Sequence, residues 1–244
     1  MGRIVRDDPE HPDPGFAELY ASLPDATDRE PWLGWCRAAG GAVLYLGVGA
    51  GRLAVPLAGA GIEVVGVDAH PAMLDHLRRR LPEADLLLAR IEDLRLERRF
   101  GLVLGPSGVL GTPERLAAAA RHARGLVAME LMNPHWLLAA GHPGVRVLRA
   151  TGGGAEIEVD YPGGWTQRAQ VQLLWPEEVE RLLAPAGLGL ELMRGRDDDG
   201  GLADSETYFV LARARRTASR TAGATSSAKR RSWVSTSSAS GHRT

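Results

Sequence analysis

The sequence predicts an α/β fold, doubly wound on a mostly parallel seven-stranded sheet, with an N-terminal helical cap and a small antiparallel platform inserted late. Three observations predict it. An apolar run, Leu44-Tyr45-Leu46, breaks into a three-glycine turn. Strand and helix patterns alternate from there to Glu130, as parallel crossovers require. Beyond residue 143 the alternation gives way to period-two segments parted by glycine-rich turns.

Taken in order, Phe16 to Tyr20 and Pro31 to Ala39 are expected to be helical, the second carrying Trp32, Leu33, Trp35 and Cys36 toward the sheet. A first core strand is expected over Ala42 to Leu46, a helix over Gly51 to Ala58 and a second strand over Glu63 to Val67. Pro71 is pre-set for the first position of a helix reaching Arg80, whose Met73, Leu74 and Leu77 recur at helical spacing. Strands at Asp85 to Ala89 and Gly101 to Leu104 follow, then an alanine-rich helix from Pro113 to His122 and a strand at Gly125 to Glu130. The platform is read from Val145 to Ala150, Ala155 to Tyr161 and Thr166 to Leu174. Pro176 opens a last helix that ends near Pro185-Ala186-Gly187, and strands at Leu188 to Met193 and Thr207 to Ala212 complete the sheet.

The glycine turn carries the chemistry. A chain leaving a buried strand must turn sharply while presenting backbone N–H groups to a ligand, and a Cβ there blocks the approach. Gly47, Gly49 and Gly51 meet that need, but the fourth glycine of a dinucleotide fingerprint is replaced by Arg52, which disfavours a pyrophosphate cofactor. Asp68 lies 21 residues past Gly47 and closes the next strand, with Ala69 beside it, which places a carboxylate within reach of a ribose diol.

These residues resemble the class I S-adenosylmethionine (SAM)-dependent methyltransferases, whose first motif is an acid-x-G-x-G-x-G turn followed by an acid closing the second strand. The resemblance covers roughly residues 16 to 214, is strongest over 42 to 111, and implies a Rossmann-like core with SAM as cofactor. Tyr45 stands where the family has its first acid, and Val48-Gly49-Ala50-Gly51 replaces a frequent Cys-Gly-Thr-Gly, so hydrogen bonds around the methionine end must be supplied differently. The resemblance implies that Ile91 walls the adenine. Arg90 cannot act as the family's acid there, leaving Glu92, Asp93 or a backbone carbonyl to take that part. It also places Ser107, in the loop after the fourth strand, beside the sulfonium, and Tyr20 as a cap tyrosine closing over the methionine portion. Trp175-Pro176-Glu177-Glu178 through Ala186-Gly187-Leu188 is similar to the C-terminal signature of many small-molecule methyltransferases.

Past the fifth strand, His135 sits where a methyl acceptor belongs and could take a proton near neutral pH. With no base–orienter pair evident and no set of oxygen ligands for a divalent metal at this edge, the expected chemistry is methyl transfer to an amine of a small molecule or peptide in specialised metabolism. The resemblance of the platform to that of natural-product N-methyltransferases points the same way. An O-methyltransferase acting on a hydroxyl, a SAM-fold binding or scaffold protein without turnover, and a nucleotide-dependent oxidoreductase, which Arg52 opposes, are the alternatives.

Composition sets the remaining bounds. The 244 residues suit one α/β domain with small additions, and the single Cys36 excludes an internal disulfide and a cysteine-based zinc site. The charged, proline-rich start shows no apolar signal segment, so the cytoplasm is the expected location and membrane insertion is not expected. Residues 213–244 hold eight basic residues and no acid, which leaves 21 basic against 30 acidic residues in the body. Nucleic acid is therefore an unexpected partner and a homodimer a possible one. The expected divisions are a cap over residues 1–40, the cofactor-binding core over 41–143, the platform over 144–175, the end of the core sheet over 176–214, and a disordered basic Ser/Thr-rich tail over 215–244.

Overall fold

The computed structural model describes residues 2–8, 10–139, 142–196 and 202–215, so the expected tail, apart from Arg215, lies outside the described residues. The chain opens with strand β1 (Arg3–Arg6), then helices α1 (Pro14–Ser22) and α2 (Trp32–Ala39). Asp13 caps α1 by accepting from the Gly15 N–H at 2.9 Å, with Pro14 at the first helical position. Strand β2 (Val43–Leu46), helix α3 (Ala54–Gly59), strand β3 (Val64–Asp68), helix α4 (Pro71–Arg80) and strand β4 (Asp85–Leu88) follow. Next come β5 (Phe100–Gly105), α5 (Pro113–His122), whose Thr112 cap accepts from the Arg115 N–H, β6 (Ala123–Met132) and the short α6 (Pro134–Leu138). The hairpins β7 (Val145–Thr151), β8 (Gly154–Tyr161) and β9 (Trp165–Gln172) precede α7 (Val179–Leu183), which has a 3-10 turn on each side, and the strands β10 (Leu188–Gly195) and β11 (Thr207–Ala214).

The main sheet runs β10-β11-β6-β5-β2-β3-β4. The strands from β6 to β4 pair in parallel, while β11 is antiparallel to both β6 and β10. Strand order reverses between β2 and β5, so the chain ends leaving those two strands diverge and open a crevice. Both faces of the sheet are covered because its strands are apolar on both sides. Leu44 and Leu46 of β2 pack into one buried layer with Leu116 of α5 and Leu183 of α7. Val43 and Tyr45 pack into the other with Trp32 and Leu33 of α2, Leu57 of α3 and Leu77 of α4. Two faces each covered by helices make the sheet doubly wound, as expected from the sequence.

Two local departures have clear causes. Helix α3 begins at Ala54, three residues later than the pattern suggests, because Gly51 adopts φ +92° and carries the turn on through Arg52. The platform has a fourth strand that the pattern does not reveal: β1 pairs in parallel with β9, from Arg3 opposite Trp165 to Arg6 opposite Arg168. The sheet order is β1-β9-β8-β7, with only β7, β8 and β9 mutually antiparallel. Among the described residues no helix is long and apolar enough to cross a membrane.

Candidate functional site

The three glycines of the turn after β2 all have positive φ, but a side chain would meet something different at each. A Cβ on Gly47 would lie 2.7 Å from Val109 Cγ1, and one on Gly51 would lie 2.4 Å from Leu77 Cδ1. A Cβ on Gly49 would meet nothing within 4 Å. Gly47 and Gly51 therefore let the turn pack closely on its neighbours, while Gly49 faces the open crevice.

Asp68 ties this turn to the start of α4. One carboxylate oxygen accepts from the Gly49 N–H at 2.7 Å and the other from the His70 N–H at 2.8 Å. Each oxygen keeps capacity for a second donor. Burial raises the Asp68 carboxyl above its ordinary value, and the backbone N–H groups of His70 and Gly49 oppose that rise. His70 Nε2 donates to the Asp13 carbonyl at 3.0 Å, since a carbonyl can only accept, and in the neutral ring this leaves Nδ1 as a lone-pair acceptor. That Nδ1 is buried and has no partner. A carboxylate with spare capacity, an orphaned acceptor and an open glycine face suit a ribose with vicinal hydroxyls, so the residues present fit an adenosyl cofactor.

The other candidate residues scatter into distinct environments. Tyr45 is buried beneath the turn, its phenol raised by burial and then by the charges of Glu130 and Asp68. Ile91 is buried in the core layer, and Ala69 is half-buried beside Asp68. Glu92 is committed to Arg115 of α5 at 2.8 Å; burial raises its carboxyl, but that partner brings it net below the ordinary range. Ser107 holds φ +55°, unusual for a side-chain-bearing residue, and its N–H donates to Glu130 at 3.3 Å. His135 packs edge-on against Trp175 and pairs with Glu177 at 3.1 Å, both side chains largely exposed. Tyr20 donates to Gln167 of β9 at 3.2 Å, and burial, then the neighbouring Tyr161, push its phenol well above its ordinary range.

The structure thus brings Gly49, Asp68 and the start of α4 into one hydrogen-bonded unit, and Tyr20 into a second with Tyr161 and Gln167. His135 belongs to neither. The sequence marks Glu130 only as a residue at the end of the fifth strand, with no stated role, and gives no signal for Asp7. Glu130 is the anchor of the crevice floor: it is 6% exposed and accepts from Ser107, from Arg196 at 2.6 Å and from the Thr207 hydroxyl at 2.9 Å. Asp7, just past β1, is an exposed residue whose carboxyl is still crowded by neighbouring protein. Burial and then the charge of Asp68 raise its carboxyl. Its place could be read only after the pairing of β1 was known.

Residues 43–128 match the family described as a methyltransferase domain. An uncharacterized methyltransferase of Mycobacterium tuberculosis is 43% identical over 74 residues, which are 30% of this chain and 28% of the relative. The chain thus matches little more than a quarter of that relative's length. The structure of the CcbJ methyltransferase from Streptomyces caelestis superposes with a TM-score of 0.64 at 22% identity, covering 82% of this chain and 96% of that one. The glycopeptide N-methyltransferase MtfA complexed with SAM gives a TM-score of 0.55 at 22% identity, covering 78% and 96%. Residues 43–128 thus match a methyltransferase domain, the fold is the α/β Rossmann-like one of these neighbours, and S-adenosylmethionine is the cofactor they indicate.

Proposed function

We propose that this protein transfers a methyl group from SAM to an amine of a small molecule or peptide in specialised metabolism. The observation that carries the reading is the Asp68–Gly49 unit at the strand-order reversal, with Gly49 facing an open crevice. In this reading Gly47, Gly49 and Gly51 shape the cradle, and Asp68, Ala69 and His70 hold the ribose. Ile91 walls the adenine, Ser107 and Glu92 border it, and Tyr45 supports the turn from below. When bound, SAM supplies a methyl group activated on a sulfonium. The chain's own work is positioning and exclusion of water, since a neutral amine already carries the lone pair that attacks. The fold likeness to an N-methyltransferase of glycopeptides supports an amine acceptor. Calorimetric titration with SAM and with S-adenosylhomocysteine tests the cofactor. Mass spectrometry for the gain of one methyl group across a panel of amines tests the acceptor. Absence of binding by both compounds sinks the reading.

One observation favours a second reading. His135 and Glu177 form the base–orienter pair that a hydroxyl acceptor needs, which would make the protein an O-methyltransferase with His135 as base. A His135→Gln variant that retains turnover on amines and alcohols alike removes that reading. Self-association through the outer platform strand, where Val147 and Leu148 are exposed, is also proposed, and sedimentation equilibrium reads it.

A further inference from the structure

Where α1 meets the platform, two phenols share one acceptor. Tyr20 Oη donates to Gln167 Oε1 at 3.2 Å and Tyr161 Oη donates to the same oxygen at 3.0 Å. Gln167 is 6% exposed, whereas both tyrosines are half-buried and keep open edges. A phenol has one proton to give. With both protons committed to a single carbonyl, the two phenol oxygens can only accept. Both rings pack in the apolar cluster that includes Ala50 of the glycine turn and Met73 of α4, so the pair stands beside the cofactor cradle. The Asp7 charge also reaches Tyr20, which adds to the negative character of this wall.

On the methyltransferase reading above, we propose that Tyr20 and Tyr161, oriented by Gln167, form an acceptor-only seat that selects a nucleophile carrying two N–H groups, a primary aliphatic amine. The N–H groups donate to the phenol oxygens, which fixes the direction of the nitrogen lone pair. That lone pair forms the new N–C bond as the carbon–sulfur bond breaks and its electron pair leaves on sulfur. The ammonium product then releases one proton to water. A hydroxyl nucleophile has a single proton and leaves one phenol oxygen unmatched, so the seat disfavours it. Tyr20 and Tyr161 touch the acceptor, and Gln167 is the positioning residue.

A probe that needs no knowledge of the acceptor tests this. Sinefungin carries an amine on carbon where SAM carries its sulfonium methyl, whereas S-adenosylhomocysteine has neither. By calorimetry, the full-length protein should bind sinefungin at least about tenfold more tightly than S-adenosylhomocysteine, the worth of one charge-assisted hydrogen bond. Tyr20→Phe, Tyr161→Phe and Gln167→Met should each remove most of that preference, read as the ratio of the two affinities measured in the same variant. Gln167→Glu, which still accepts from both phenols, should keep it. Equal binding of the two compounds in the wild type, or a preference indifferent to the tyrosines, overturns the seat while the cofactor reading stands. A Gln167→Glu variant behaving like Gln167→Met overturns the orienting role, and failure of both compounds to bind overturns the methyltransferase reading itself.

Discussion

Gly49 and Gly51 stand two positions apart and meet different demands, and substitution separates them. Alanine at Gly51 would drive its Cβ into Leu77, a fully buried side chain, at φ +92°. Overpacking of that kind costs about 1–3 kcal/mol, so Gly51→Ala should lower the urea midpoint clearly. Alanine at Gly49 meets open space and bears mainly the left-handed backbone penalty, about 1–2 kcal/mol, at φ +57°. Gly49→Ala should therefore weaken SAM binding by more than its stability loss explains; equal SAM affinity in wild type and variant would return Gly49 to a purely conformational part. Asp7 offers a pH test. Its carboxyl is raised above 3.8 by burial and then by Asp68. A carboxyl raised on folding stabilises fully below its unfolded value, and the contribution is lost as pH rises through the folded value. Asp7→Asn, which cannot ionise, should thus gain in melting temperature relative to wild type as pH climbs from about 4 toward neutrality. A difference that is flat with pH contradicts the coupling.

The loop between β5 and α5 shows how a strained segment is held. Ser107 at φ +55° is restrained by its N–H on Glu130, whose backbone carbonyl also accepts from the Gly108 N–H at 2.9 Å. Glu130 in turn is fixed by Thr207 on the neighbouring strand β11 and by Arg196 just past β10. Ser107→Gly should raise stability by about 1 kcal/mol by relieving the left-handed strain. Glu130→Ala should cost about 1–3 kcal/mol, because it takes the shared acceptor from the Ser107 N–H and the Thr207 hydroxyl, while the half-exposed Arg196 can turn to water. Chemical denaturation measures both, and the reverse order of effects would refute the picture. The sequence reading found this loop, since Gly105 and Gly108 punctuate an apolar run, but not its anchor. Arg196 and Thr207 lie 66 and 77 residues from Glu130, and no local pattern reports a partner that distant. The strands β2, β3, β5 and β6 were legible because each is an apolar run next to a turn. Strand β1 was not: of Arg3-Ile4-Val5-Arg6 only Val5 is buried, and its ladder partner is more than 160 residues away. The cradle residues were legible because glycine spacing is itself mechanical, whereas Gln167 looks like any polar residue on an alternating strand until Tyr20 and Tyr161 are seen to share it.

The N-terminal segment joins the platform to the core at several points. Strand β1 zips along β9, Tyr20 of α1 holds Gln167 on that same strand, and the Asp13 carbonyl accepts from His70 at the start of α4. The two large buried layers of the main sheet contain no fully buried residue before Trp32, and of the earlier residues only the partly buried Ala26 packs against them, so the core owes this segment little packing. Of residues 2–8 only Val5 is buried, in the smaller cluster that also holds Phe16, Ala50 and Met73. Deleting residues 2–8 should therefore leave global unfolding nearly unchanged while freeing α1 and the edge of β9. Two consequences are expected together: faster proteolytic cleavage between residues 8 and 31, and weaker SAM binding, because α1 and Asp7 no longer cover the cradle. Local opening of this kind draws on a low-stability unit and not on the global free energy, so the two readouts should move while the urea midpoint stays within error. A deletion variant that loses the midpoint along with binding would show the cap to be part of the core. One that retains wild-type protection and affinity would show that β1 merely decorates the platform.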